Sequence, residues 1–107
     1  MKMMNITCNI SSVNHLIQIM EREQINFYQL FNEVCGKLPK GEPRLNNPVW
    51  PGLNNSVFLT CTEKQCESIK EAIKMFNKMA YNDNELIFYK TGYHHQNEVF
   101  FHYPMYL

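Results

Sequence analysis

The sequence predicts an α+β domain: a ferredoxin-like βαββαβ sandwich in which two helices cover one face of a four-stranded antiparallel sheet. Three observations predict it. Period-two alternation recurs at 4–10 and 57–61, and a short apolar run at 86–89 reads as a final strand. Two stretches, 13–24 and 62–79, carry apolar residues at helical spacing. A long loop rich in proline separates the second predicted strand from the third, and right-handed crossovers then place both helices on one side of the sheet.

With 107 residues the chain is one domain (1–107), long enough for one core. It is 45% hydrophobic and 19% charged, which is the composition of a folded globular protein. Ten basic and ten acidic side chains cancel. That balance gives no electrostatic case for nucleic acid or an anionic membrane, and its weak self-repulsion suits an oligomer. Aromatic residues make up 13% of the chain, more than so small a core readily holds, so some rings are expected against another subunit. The N-terminus, MKMMNITCNI, lacks the apolar run and cleavage site of a signal peptide, and no segment reads as a membrane span. The expected compartment is the cytoplasm. Cys8, Cys35, Cys61 and Cys66 form no CxxC pair and read as reduced core or surface thiols.

Taken in order, Met4, Ile6, Cys8 and Ile10 alternate with Asn5, Thr7 and Asn9 as a strand with one apolar face. Ser11 and Ser12 offer an N-cap for a helix carrying Val13, Leu16, Ile17 and Met20 and ending near Gln24. Residues 25–35 alternate around Phe27, Gln29 and Phe31 and favour a strand, although Leu30, Phe31 and Val34 also fit an extension of the helix. Val57, Leu59 and Cys61 mark the next strand, with Phe58 and Thr60 on its other side. Thr62 with Gln65 forms a capping box, opening a helix whose stripe is Cys66, Ile69, Ile73, Phe76 and Met79. Residues 81–84 read as a turn, 86–89 as a strand that extends toward Tyr93, and 94–107 as an aromatic tail. The face bearing Asn5, Thr7, Asn9, Phe58 and Thr60 is left uncovered by the helices, and self-association is its simplest cover.

The loop, residues 37–55, concentrates the candidate functional residues. Its centre, GEPRLNNPVWPG, holds Pro43, Pro48, Pro51 and the sole tryptophan, Trp50. Proline stiffens such a loop, and a Trp there is either a partner contact, a lid, or an anchor packed on its own or a neighbouring subunit. Lys37, Lys40 and Arg44 make the loop locally basic, with Glu33 and Glu42 in partial opposition. Arg44 has the planar fork that suits a carboxylate or phosphate; its plainer reading is a solvated arginine or an intersubunit salt bridge. His94, His95 and His102, with Glu98, are the candidate ligands for Zn or Cu. Adjacent histidines on a strand face opposite ways, so both serving one metal requires a loop. No nucleophile elbow, paired-carboxylate motif or P-loop is present, and a non-enzymatic protein is expected. Cys61 and Cys66 lie near a helix N-terminus, which lowers a thiol pKa, but Cys66 is on the apolar stripe and reads as a buried structural thiol.

The run GEPRLNNPVWPGLNNSVFL, leading into a strand and a charged helix, resembles the PII nitrogen-regulatory superfamily, and most closely its small PII-like branch. The matching positions are Gly41, Pro43, Leu45, Val49, Trp50, Pro51, Gly52 and Asn54, and the topology matches up to about Tyr93. The resemblance implies a homotrimer with sheets facing inward. It also implies small effectors such as nucleotides, 2-oxoglutarate or bicarbonate held in clefts between subunits, and a protein partner reached through the 37–55 loop. Lys37, Lys40, Arg44, Trp50 and Asn54 are then the effector and partner residues. The chain departs from the superfamily at the turn before the last strand. There a glycine-rich phosphate cradle is replaced by Tyr81-Asn82-Asp83-Asn84-Glu85-Leu86, so ATP binding by that route is not carried over. The tyrosine nucleotidylated in some members is also absent from the loop. The histidine cluster supports an alternative, a metal-binding trimer resembling the CutA-like proteins. The sequence leaves cofactor, effector, partner and pathway unnamed.

Overall fold

The computed structural model describes residues 1–38, 42–49, 52–81, 83–95 and 98–101, with the backbone alone at 84, 93–95 and 98–101. Its strands are β1 (Lys2–Asn9), β2 (Tyr28–Val34), β3 (Asn54–Cys61), β4 (Phe88–His95) and β5 (Glu98–Phe101), and its helices are α1 (Val13–Arg22) and α2 (Glu63–Lys78). The sheet order is β2-β3-β1-β4-β5, and every neighbouring pair is antiparallel. The first four strands are the predicted βαββαβ sandwich. β5 is an addition to it: the stretch read as tail begins inside β4 and returns as a short fifth strand, with His94 opposite Val99 and His95 opposite Glu98. Pairing with β5 satisfies backbone groups that β4 would otherwise present as an open edge.

The alternation seen in the sequence builds the core. Met4, Ile6 and Cys8 of β1 and Val57, Leu59 and Cys61 of β3 point to one side, where they meet Leu16, Ile19 and Met20 of α1 and Cys66, Ile69 and Ile73 of α2. Ile10 leaves this stripe and is 46% exposed, because β1 stops at Asn9 and a 3-10 turn follows. That turn also moves the cap. Asn9, not a serine, accepts the Ser11 N–H at 3.1 Å, and the buried Ser12 hydroxyl donates instead to the Glu85 carbonyl at 3.2 Å. The end of α1 is closed by paired bonds from Gln24 N–H to Glu21 O and from Ile25 N–H to Met20 O, a Schellman arrangement. Gln24 occupies the left-handed position, at φ 57, that glycine usually takes there.

The capping box forms as read: Thr62 Oγ1 accepts the Gln65 N–H at 3.1 Å, and Gln65 Oε1 accepts the Thr62 N–H at 2.9 Å. Gln65 also donates to the Glu23 carbonyl at 3.0 Å, tying the start of α2 to the end of α1. At the other end Met79 falls outside α2 and is 78% exposed, so the apolar stripe ends at the half-buried Phe76. β4 begins later than the pattern suggested because Asn77 takes both backbone groups of Ile87, donating to its carbonyl at 2.9 Å and accepting its N–H at 2.8 Å.

Residues 25–35 resolve as a strand preceded by a turn, with a bulge between Phe31 and Val34 where Glu33 adopts φ 58. The Glu33 N–H released by the bulge donates to the buried Asn55 at 3.2 Å. On the face away from the helices a smaller cluster joins Leu38 to Leu86 and Phe88, so the chain leaving β2 folds back over one end of that face. The rest of it is polar with aromatic members. Ser56 and Thr7 donate to Asn5 Oδ1 at 3.0 and 3.5 Å, Phe58 is half-buried, and Phe31 is 51% exposed.

Two substitutions test these local assignments by chemical denaturation. Gln24→Gly should raise stability by about 1 kcal/mol, since the left-handed conformation penalises a Cβ by that order. Thr62→Ala should lower it by about 1 kcal/mol through loss of the cap.

Candidate functional site

The long connection between β2 and β3 is fastened at its base by a small set of bonds. Gly36 and Arg44 exchange both backbone hydrogen bonds at 2.8 Å, an isolated antiparallel bridge that closes the first part of the loop. Farther along, the Asn46 N–H donates to the Gly52 carbonyl and the Ile10 N–H to the Leu53 carbonyl, each at 3.1 Å, which returns the chain to the sheet. Asn46, at φ 55, and Gly52, at φ 99, supply the two positive-φ turns that this path needs. Asparagine tolerates the first; the second lies where glycine is favoured.

Arg44 runs through the middle of this base. Its side chain lies against Gly52, and its Nη1 donates to Asn54 Oδ1 at 2.6 Å. Arg44 is 5% exposed and Asn54 2%, so the bond is inside the protein. Burial lowers the Arg44 pKa, an effect opposed by Cys8 and Glu42. The neighbouring Cys8 thiol is pushed up by burial to about 12, against the pull of Arg44, and is therefore a neutral core group. A short bond from a guanidinium to a buried amide oxygen is charge-assisted and stronger than a neutral one. It gives Arg44 a place in the fold that composition and spacing did not show. The side chain is neither solvated nor out on the loop's tip; it holds the loop to the first residue of β3.

The other candidate residues sort by position. Lys37 is exposed at the start of the loop, next to the buried Leu38. Lys40 and Trp50 lie outside the described residues. Residues 45–49 are exposed, with Val49 at 75% and its N–H held by Asn47 Oδ1 at 3.1 Å. Of the five effector and partner residues, Arg44 and Asn54 are thus brought into direct contact, and Lys37 stands apart from them on the surface. His94 and His95 are consecutive positions of β4, not of a loop as shared metal ligation required, and His102 lies outside the described residues. Among the described residues no group of three metal-ligating side chains converges.

The turn before β4 is where the sequence departs from a glycine-rich cradle. Asp83–Glu85 form a 3-10 turn, and the Tyr81 N–H donates to the Glu85 carboxylate at 2.9 Å. The Glu85 carboxylate thus places a negative charge at this turn. Sequence reading missed a further concave surface, a groove of about 720 Å³ between α1 and α2 lined by His15, Ile19, Met75, Phe76 and Met79. The His15 and Phe76 rings meet in it at 4.6 Å. The signal was present in Met75 and Met79, which recur at i and i+4 alongside the core stripe. No helix among the described residues is long and apolar enough to cross a membrane.

Replacing Arg44 with Ala leaves the Asn54 oxygen buried without this partner and should cost about 1–3 kcal/mol in denaturation, together with faster proteolysis of the loop. Lys37→Ala, at an exposed position, should stay within about 0.5 kcal/mol of the parent.

No family model and no curated protein sequence matches the chain. Solved structures do. CPII from Thiomonas intermedia K12, bound to ADP and bicarbonate, superposes with a TM-score of 0.63 at 12% identity, over 84% of this chain and 83% of that one. The apo form of the same protein, a nitrogen regulatory PII-like protein, gives 0.60 at 13% identity, over 84% and 86%. A protein described as PII-like signalling, from Thermus thermophilus, gives 0.59 at 14% identity, over 94% and 86%. At such identities the likeness speaks to the fold, and it agrees with the resemblance carried by the GEPRLNNPVWPG loop. The chain has the fold of the PII-like proteins.

Proposed function

We propose that this chain is a PII-like signal-transduction protein: a cytoplasmic, non-enzymatic homotrimer that binds a small anionic effector in clefts between subunits. It signals to a protein partner through the 37–55 loop. The observation that carries the reading is the loop itself. It lies between β2 and β3 of a PII-like sandwich, is clamped at its base by the Arg44–Asn54 bond, and is exposed over residues 45–49. A loop built this way keeps a fixed root and an adjustable tip, which is what a reporter of cleft occupancy requires. In this reading Lys37 and Lys40 supply positive charge to the effector, Trp50 contacts the partner or the neighbouring subunit, and Arg44 with Asn54 relays the position of β3 to the loop. The uncovered face with Phe31, Phe58 and Asn5 supplies the contact between subunits.

One CPII structure contains ADP, AMP and bicarbonate. For this chain the Glu85 carboxylate at the turn before β4 disfavours a phosphate there, so a small carboxylate or bicarbonate is the better candidate. Light scattering of the purified protein at micromolar concentration should give three chains per particle; a monomer overturns the quaternary assignment. Calorimetric titration with bicarbonate, 2-oxoglutarate, ADP and AMP should detect at least one, and the charge reversal Lys37→Glu should weaken it by about tenfold, equivalent to ~1.4 kcal/mol. Silence across the panel from a well-assembled trimer overturns the effector assignment.

A further inference from the structure

Helices α1 and α2 each give one side to the core and leave the 720 Å³ groove between their outer sides. A second hollow of about 440 Å³ shares Arg22, Ala72 and Met75 with it, so the two form one continuous surface. The rise from Glu67 to Met79, the C-cap of α2, sets its length at about 18 Å. Its floor is Ile19, Ala72, Met75, Phe76 and Met79. The core accounts for Ile69 and Ile73, but Met75 and Met79 are 58% and 78% exposed, so an apolar flank is presented to solvent. The charge around it is one-sided. Ten basic and ten acidic residues balance over the whole chain, yet Glu23, Glu67, Glu71 and Glu85 line the groove against Arg22 and His15. Lys70 and Lys74 reach Glu67 and Glu71 at 3.2 and 3.9 Å, exposed pairs that hold their partners weakly. Among the described residues Glu23 and Glu85 are in no ion pair.

We infer that this groove is a docking surface for a basic amphipathic helix of a partner protein, apolar on one face and carrying lysine or arginine toward both ends. Charge complementarity selects the sign of the partner: Glu85 stands at one end of the floor, and Glu23, Glu67 and Glu71 stand at the other. The floor selects its conformation. It is built from two helices and offers no strand edge, so an extended segment laid on it would leave backbone groups unpaired, whereas a helix satisfies its own. A third helix also packs naturally along the groove between two others. Unbranched Met75 and Met79 adapt their shape to the side chains that arrive.

The inference does not rest on the function proposed above. The groove lies on the helical side of the sheet, away from the face with Phe31, Phe58 and Asn5 that is proposed for contact between subunits, so both surfaces can be occupied at once. It is also separate from the 37–55 loop, none of whose described residues lines it. Light scattering and effector titration judge the earlier reading; helix binding judges this one.

The probe is a synthetic amphipathic peptide of leucine and lysine, about fourteen residues and so roughly 20 Å long as a helix. Fluorescence anisotropy with the intact protein should show saturable binding of one peptide per chain, weakening as salt is raised. Circular dichroism should show the peptide gaining helix on binding. A peptide of the same composition in scrambled order, and one with glutamate in place of lysine, should bind at least about tenfold more weakly. Met75→Lys should cost about tenfold in affinity. Reversing Glu23 and Glu71 together, E23K with E71K, should cost a similar factor of about ten. All four substitutable positions are on the surface of the helix pair, and an unchanged denaturation midpoint confirms that each variant is folded. No binding, equal affinity for the control peptides, or affinity indifferent to Met75→Lys would overturn the proposal. So would a Met75→Lys chain that forms smaller particles than the parent, which assigns the groove to a second copy. NMR contacts from residues 102–107 to the Met75 and Met79 methyls in the free protein would assign it to the chain's own end and overturn it equally.

Discussion

The rest of this structure depends on one constraint: a four-stranded core sheet has two faces, and two helices can cover only one of them. The apolar stripe of β1 and β3 must be removed from water, and α1 and α2 do that with Leu16, Ile19, Met20, Cys66, Ile69 and Ile73. What happens on the opposite face follows from what the helices leave. One end is covered by Leu38 against Leu86 and Phe88, which fixes where the chain leaving β2 has to go. The remainder keeps its polar groups satisfied among themselves, through Asn5, Thr7 and Ser56, with Phe31 and Phe58 beside them. A face that is both hydrogen-bonded and aromatic is stable in a monomer and also suited to burial against another copy.

The loop between β2 and β3 is the second consequence. Its departure from the sheet is prepared by the bulge at Glu33, whose freed N–H is taken by Asn55, and its return is secured by Arg44 on Asn54. Consecutive asparagines at the start of β3 thus serve the two ends of the same loop. Both amides are buried, and both are used. That economy explains why a connection with four prolines and two positive-φ turns has a fixed root.

Much of the fold was legible in the residues because its signals are local. The capping box at Thr62 and Gln65, the alternation of β1 and β3, and the buried part of the α2 stripe depend on side chains within a turn or two of each other. The misses came where a distant group intervened. Ser12 turned its hydroxyl to Glu85, Asn77 drew Ile87 out of the ladder, and Glu98–Phe101 found the open edge of β4. Of the candidate site, Asn54 and Arg44 were named from the loop motif, but their bond to each other was not visible. An arginine that ends in a buried amide and one that ends in solvent have the same neighbours in sequence.

By itself, then, the sequence determined the class of fold, the order of its elements and the loop on which function is expected to rest, because periodicity, caps and prolines act on the backbone nearby. Tertiary structure alone decided which charge in that loop is structural and which strand closes the sheet beyond β4. Each of those depends on bringing together groups whose desolvation and pairing are set only when the chain has folded.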